Sequence, residues 1–403
     1  MTEPAGPRCH DDDVLGVDAG HALLGAVQAR AFARRQPLNV TLELTQRCNI
    51  RCLHCYNFDR DQPRPRRGGG ASDGCGGDGR KPELSLDEVL KLLGDLRAAG
   101  CLFLSLTGGE IFSCPHLFAV LDRARELHLA VQLLTNGTLL RPGVAGRLAG
   151  YRNLLGLSVS LYGATPAVHD RITQMPGSWR RTWDGIERLR ALGIAVRLKF
   201  IVMRQNAHEV AAMRADADAR GYAYLVDTTI TSRHDGTHGS LATRLESGQL
   251  EDLYRGALAD LVPAGPHPVT DDRFACNCAR GNCAISATGD VMPCISVPWA
   301  AGNVREQPFI DIWRGSPVFQ RIRGLRLADY PSCAPCPDKP YCTRNRGAAL
   351  TASGSYTGVD PFVCETAALT RRLVEERAGA ATLAAEDAAA GADHRDQANA
   401  RWG

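Results

Sequence analysis

The chain has 403 residues, 44% of them hydrophobic and 23% charged, with a net charge of +3 at neutral pH. That length suggests about two domains, and so small a net charge gives no electrostatic case for nucleic acid or a membrane surface. No apolar run reaches the ~18 residues of a membrane span, and MTEPAGPRCHDDDVLG at the N-terminus lacks the basic-then-apolar order of a secretion signal. A cytoplasmic protein is the expectation. In that reducing compartment the fifteen cysteines do not read as a disulfide framework.

Residues 1–38 form an N-terminal extension, and β-α alternation begins at Asn39. NVTLELT (39–45) alternates as a strand does, and CLFLSL (101–106) is apolar enough to be buried on both faces. AVQLLT (130–135), LGLSVSL (155–161), AVRLKFIV (195–202) and YAYLVD (222–227) supply four more strands. SLDEVLKLLGDLRAAG opens with Ser85 and Glu88 at capping-box spacing and closes at Gly100. Further helical patterns cover about 116–128, 180–192 and 207–219. Strands and helices in alternation predict a parallel sheet, and six strands favour an open, partial (β/α)6 TIM-like barrel over the closed eight-strand form. Residues 59–82, rich in glycine, proline and charge, read as a mobile loop in which Cys75 has no assigned role. The barrel is expected over 39–265, a small cysteine-rich domain over 266–370, and a helical or disordered tail over 371–403.

The cysteines are unevenly placed: three at 48–55, four at 276–294 and four at 333–364. Such clustering reads as metal or iron–sulfur chemistry. Cys48-x3-Cys52-x2-Cys55 directly follows the first strand, at the carboxyl end where parallel α/β folds build their sites. Three thiolates can hold three irons of a four-iron cubane and leave the fourth open to an outside ligand. By spacing alone, a zinc knuckle with a distant fourth ligand also fits.

This spacing, in this position, resembles the radical S-adenosylmethionine (SAM) superfamily, and the resemblance runs over about residues 39–370. It implies a [4Fe-4S] cluster on Cys48, Cys52 and Cys55 whose fourth iron takes the amino and carboxylate groups of SAM. It implies reductive cleavage of SAM to a 5′-deoxyadenosyl radical that abstracts hydrogen from a substrate. LTGGEIF matches the family's GGE turn with Thr107, Gly108, Gly109 and Glu110, and LTNGTLL places Asn136 and Gly137 near SAM. Ser160, in LSVSLYG, falls where the family has a polar residue bonding the ribose. His54 stands where an aromatic residue is usual, and Ile111 where proline is. Lys199, in an apolar strand, faces either the site or the helix side.

Cys278, Cys283, Gly289-x4-Cys294, Cys333-x2-Cys336-x5-Cys342 and Cys364 are similar to the SPASM extension of peptide-modifying members. That likeness implies up to two auxiliary [4Fe-4S] clusters, the second on Cys333, Cys336, Cys342 and Cys364. The family pattern continues to a further cysteine where this chain has Arg346. The first cluster then has Cys278, Cys283 and Cys294, and either recruits Cys276 or leaves an iron open. A pair of zinc sites is the plainer alternative for the region. The implied substrate is a peptide, as in maturation of a ribosomally made precursor, or alternatively a small molecule. A third reading is a non-catalytic electron-transfer protein. The implied partners are an external electron donor of flavodoxin or ferredoxin type and a separate precursor-recognition protein. No catalytic acid or base is assigned. Arg233, His234, Asp235 and His238 in TSRHDGTHG, and Tyr162 and Asp170 after the fourth strand, are candidate substrate contacts.

Overall fold

The computed structural model describes residues 21–57, 81–274 and 276–399. Cys9, Cys75 and nearly all of the expected 59–82 loop lie outside them. Within the N-terminal extension a helix, α1 (His21–Arg34), precedes the sheet.

Strands β1 (Asn39–Glu43), β2 (Phe103–Thr107), β3 (Ala130–Thr135), β4 (Leu154–Leu161), β5 (Val196–Ile201) and β6 (Ala223–Asp227) lie where the alternation places them. Each pairs in parallel with the next. Between them run α2 (Leu86–Ala98), α3 (Leu117–Glu126), α4 (Pro142–Leu148), α5 (Pro166–Thr173), α6 (Ser178–Ala191) and α7 (Val210–Arg220). The capping box of α2 is formed: Ser85 Oγ accepts from Glu88 N at 3.3 Å, and Glu88 Oε2 from Ser85 N at 2.7 Å. This is the partial barrel of parallel strands expected from the sequence.

Strand periodicity sorts the side chains into two faces. Val40, Leu42, Leu104, Leu106, Val131, Leu133, Val159, Leu198 and Phe200 are buried against the helices in one continuous core. The alternate positions carry Thr41, Glu43, Ser105, Gln132, Ser158, Ser160 and Lys199, so the inner face is polar. An inner face of that kind is built for a ligand rather than for a packed core.

The sheet runs on past residue 265. Strand β7 (Asn282–Ile285) pairs in parallel with β1 on its free side, and β8 (Asp290–Met292) and β9 (Gly302–Asn303) follow antiparallel. The order is β6-β5-β4-β3-β2-β1-β7-β8-β9. The cysteine-rich region is thus hydrogen-bonded directly to the barrel's first strand. Helices α8 (Ser247–Arg255), α9 (Phe309–Gly315), α10 (Pro317–Gly324), α11 (Arg346–Ser353) and α12 (Pro361–Asn399) complete the chain. Trp313 on α9 is buried and donates its indole N–H to Arg35 O at 2.6 Å. Arg305 bonds Glu88 and the Pro82 and Glu83 carbonyls at the start of α2. Helix α12 begins ten residues ahead of the expected tail, carries Cys364, and is tied to α8 by Arg255–Glu376 and Arg372–Glu251 contacts of 2.7 Å. Among the described residues no helix is long and apolar enough to cross a membrane.

Candidate active site

The loop after β1 is held by the turn after β2. Gly108 has φ +154°, and a Cβ there would lie 2.3 Å from Thr45 O; one on Gly109 would lie 2.4 Å from Arg47 O. Only glycine allows that approach. It lets Gly109 N and Glu110 N donate to Thr45 O and Arg47 O, each at 2.7 Å. Thr107, buried at the end of β2, accepts Leu44 N on its carbonyl at 2.9 Å. The two glycines therefore seat the cysteine loop on the strand ends.

That loop brings Cys48, Cys52 and Cys55 into one apolar cluster with Ile50, Tyr162, Met203 and Ile230. Asn136 Nδ2 lies 3.9 Å from Cys48 Sγ and 3.0 Å from Asn49 Oδ1. Among the described residues no three His, Cys, Asp or Glu side chains converge tightly enough to hold one metal ion. A zinc centre needs its ligands at about 2.0–2.3 Å from a single ion, whereas cysteines of a cubane are spread over several irons. The three-thiol loop with an apolar wall fits the larger group.

Glu110 is 1% exposed, and its carboxylate is taken up internally. It accepts from Thr135 Oγ1 at 2.6 Å, Asn136 N at 2.8 Å and Phe112 N at 3.2 Å. Burial still pushes its pKa up, against those bonds. In this structure Glu110 fixes the end of β3, and through it Asn136 beside Cys48. Gly137 adopts φ +77°, and its N–H donates to Thr135 Oγ1 at 2.9 Å. Ser160 shares a strand face with Tyr162, within hydrogen-bond reach of its phenol, and pairs in register with Lys199. Since Val159, Leu161, Leu198 and Phe200 face the helices, Lys199 stands on the inner face with Ser160. Tyr162 packs edge-on to His54 at 4.7 Å, and burial beside the three thiols holds its phenol protonated, well above the usual range. His169 takes Tyr162 N–H on Nδ1 at 3.1 Å, and burial lowers its pKa to about 4. Asp170 is instead the cap of α6, accepting from Gly177 N, Ser178 Oγ and Trp179 N at 2.6–2.8 Å.

Glu43, unremarked in the sequence, sits at the carboxyl end of β1 on the inner face. It is 4% exposed, and burial raises its pKa to about 7 even though the Tyr56 and Asn57 side chains bond it. The Tyr56 phenol donates to it at 3.3 Å. The available signal was parity: Glu43 falls in phase with Thr41, on the face turned away from Val40 and Leu42. Tyr56, next to Cys55, also meets the loop after β6: its carbonyl accepts His234 N at 2.9 Å and the two rings lie 4.8 Å apart. Burial keeps His234 neutral, with its pKa lowered to about 4. Asp235 bonds Thr237 within the loop, Arg233 reaches Thr237 Oγ1 at 3.2 Å, and His238 Nδ1 lies 2.9 Å from Ser232 Oγ.

The C-terminal cysteines form two groups. Cys276 and Cys294 both lie within hydrogen-bond reach of the Cys278 thiol. Cys283 stands opposite Val40 in the β1–β7 register and is 2% exposed, with Cys101 and Cys294 as neighbouring thiols. Cys276 joins Cys278 and Cys294, and the Tyr356 phenol lies 3.2 Å from its sulfur. Arg346, at the start of α11, is buried and donates to Arg344 O at 3.0 Å and Gly358 O at 3.2 Å. Its guanidinium lies 4.9 Å from the Tyr330 ring centre. A Cβ on the adjacent Gly347 would fall 2.2 Å from Ser296 O, so α11 rests directly on the loop after Cys294. In the second group Cys333, Cys336 and Cys342 all lie close to Cys364, and Arg344 N donates to Cys342 Sγ at 3.3 Å. Tyr330 stands between the groups, near Cys276, Cys278 and Cys333. Neither Tyr330 nor Tyr356 was legible as a site residue, since each meets its cysteines through tertiary contacts.

A cavity of about 520 Å³ is lined by Arg233 and His234 from the loop after β6 and by Trp299, Arg321 and Tyr356 from the C-terminal half.

Residues 42–217 match the model of the Radical SAM superfamily, and 276–337 match that of an iron-sulfur cluster-binding domain, SPASM. The chain is 29% identical over 354 residues to the AdoMet-dependent heme synthase of Methanosarcina barkeri, covering 81% of this chain and 96% of that one. It is 28% identical over 318 residues to the antilisterial bacteriocin subtilosin biosynthesis protein AlbA of Bacillus subtilis, covering 76% and 66%. Among solved structures, Streptococcus suis SuiB bound to its precursor peptide SuiA superposes with a TM-score of 0.60 at 16% identity, over 87% of this chain and 82% of that one. That last likeness is one of fold.

Proposed function

This chain belongs to the radical SAM superfamily, with a C-terminal SPASM iron-sulfur domain and hence a [4Fe-4S] cluster used with SAM plus auxiliary clusters, and on that premise we propose that it modifies a peptide at the barrel mouth. The observation that carries the reading is the cavity between Tyr56–His234 on the barrel side and Tyr356–Cys276 on the other.

Cys48, Cys52 and Cys55 are the residues that would hold the SAM-binding cluster, with Gly108 and Gly109 fixing their loop and Asn136 donating toward Cys48. When bound, that group supplies one-electron cleavage of SAM to a 5′-deoxyadenosyl radical able to abstract hydrogen. The Tyr162, Met203 and Ile230 side chains wall the site against water. Glu43, with a pKa near 7, can hold or release a proton at Oε1 through the Tyr56 phenol. Ser160 and Lys199 offer polar contacts on the inner face beside Tyr162. Cys276, Cys278 and Cys294 would hold the first auxiliary cluster, and Cys333, Cys336, Cys342 and Cys364 the second.

The peptide reading draws on the relative named for bacteriocin biosynthesis. A second reading, modification of a small molecule such as a tetrapyrrole side chain, draws on the relative named a heme synthase at similar identity and fuller coverage. Anaerobic incubation with SAM, reductant and a short peptide encoded beside this protein separates them. A mass change in that peptide supports the first reading. Turnover of a tetrapyrrole, with the peptide unchanged, overturns it in favour of the second.

A further inference from the structure

Tyr356 belongs to two places at once. Its ring lines the cavity of about 520 Å³, 6.2 Å from the Trp299 ring, and its phenol oxygen lies 3.2 Å from Cys276 Sγ. Tyr356 is thus the lining residue bonded to the group of Cys276, Cys278 and Cys294. The chain is built to hold it there. Helix α11 ends at Gly354, whose φ of +71° lets its N–H donate back to Leu350 O at 2.8 Å and turns the chain toward Tyr356. From the start of the same helix Arg346 donates to Gly358 O at 3.2 Å, closing the far side of that turn. Arg346 stands where the family pattern has a further cysteine. Its guanidinium fixes the segment that presents a phenol instead of that thiol. Tyr356 is 3% exposed, and Cys276 Sγ is the hydrogen-bond partner of its phenol among the described residues.

We propose that Tyr356 donates a hydrogen bond to the Cys276 thiolate of the first auxiliary cluster and so raises that cluster's reduction potential. The proposal rests on the assignment of Cys276 as a ligand above. An iron-bound thiolate carries no proton and can only accept, whereas a phenol, with an ordinary pKa of about 10, is protonated at neutral pH and donates. Reduction adds one negative charge to the cluster, so a donor on its sulfur stabilises the reduced form more than the oxidised one. The residue that lines the cavity therefore also sets how readily the cluster behind it takes an electron.

The test is a redox titration of the reconstituted full chain, followed by electron paramagnetic resonance. It compares the parent with Tyr356→Phe, which keeps the ring and removes only the hydroxyl. Cys276→Ser identifies the signal that belongs to this cluster. Reduction of that cluster is expected to become about tenfold less favourable in Tyr356→Phe, a fall of about 59 mV for one electron, with the other clusters unmoved. In heavy water, electron–nuclear double resonance of the parent's reduced cluster is expected to show an exchangeable deuteron coupling that Tyr356→Phe lacks. An unchanged or raised potential, or deuteron couplings identical in the two chains, overturns the proposal. Loss of about four irons from Tyr356→Phe also overturns it, by making the phenol a ligand rather than a donor. If Cys276→Ser leaves every signal as it was, the ligand assignment fails and the proposal with it. If Cys276→Ser alters one signal and Tyr356→Phe does not move its potential, the bond alone fails.

Discussion

Two groups of three cysteines have surroundings that differ. Cys48, Cys52 and Cys55 lie among the apolar side chains of Ile50, Tyr162, Met203 and Ile230. Cys276, Cys278 and Cys294 have a phenol 3.2 Å from one sulfur, and Arg346 near the Tyr330 that adjoins them. A count of thiols would make the groups equivalent. Their neighbours differ: Asn136 Nδ2 lies 3.9 Å from Cys48 Sγ in the first, and the Tyr356 phenol 3.2 Å from Cys276 Sγ in the second. The group at 333–364 shows the contrast from the other side: it has its fourth thiol, Cys364, and that thiol is exposed.

The comparison can be broken most sharply by serine substitution. Cys52→Ser is expected to abolish SAM cleavage, whereas Cys278→Ser retains 5′-deoxyadenosine formation and loses modified product. Chromatographic quantitation of both species decides, and equal loss of cleavage in the two variants would erase the distinction. Next in size is Gly109→Ala, whose Cβ meets two backbone carbonyls of the cysteine loop, at 2.4 and 2.6 Å. Overpacking against backbone costs about 1–3 kcal/mol, and the variant is expected to lose about four irons per chain in a colorimetric assay while the C-terminal groups keep theirs.

The acid–base side of the contrast rests on Glu43. Its folded pKa of about 7 lies above the ordinary 4.5, so the folded state holds the extra proton between those values. Stability is therefore full below about pH 4.5 and falls as pH rises through 7. Glu43→Gln removes that loss. Its stabilisation relative to the parent chain is expected to grow from near zero at pH 5 to roughly 2–3 kcal/mol at pH 8, read by denaturant titration at the two pH values. The smallest effect is expected from Arg346→Cys. Losing two bonds from a buried guanidinium to backbone carbonyls costs about 1–3 kcal/mol. The electron paramagnetic resonance signal of the reduced first auxiliary cluster is expected to change, with that of the SAM-binding cluster unaltered.

The six barrel strands were legible because their alternation and apolar runs are local, and the three-cysteine loop because its spacing is. β7 was not, since four residues within cysteine-dense, turn-rich sequence carry no period of their own; pairing with β1 supplies it. That same pairing places Cys283 opposite Val40, with Cys294 still a neighbouring thiol. Glu110 is legible only through its turn motif, and its three internal donors come from the 3₁₀ turn after it and from the end of β3. Glu43 and Tyr356 matter through partners 13 and 80 residues away, distances over which no sequence period speaks.

The most direct test of the account is anaerobic reconstitution of the full chain, followed by SAM and dithionite. The account predicts 5′-deoxyadenosine and methionine from an iron-loaded, coloured protein, with about twelve irons per chain for three cubanes. A colourless protein carrying zinc, or an iron-loaded one that leaves SAM intact, would contradict it.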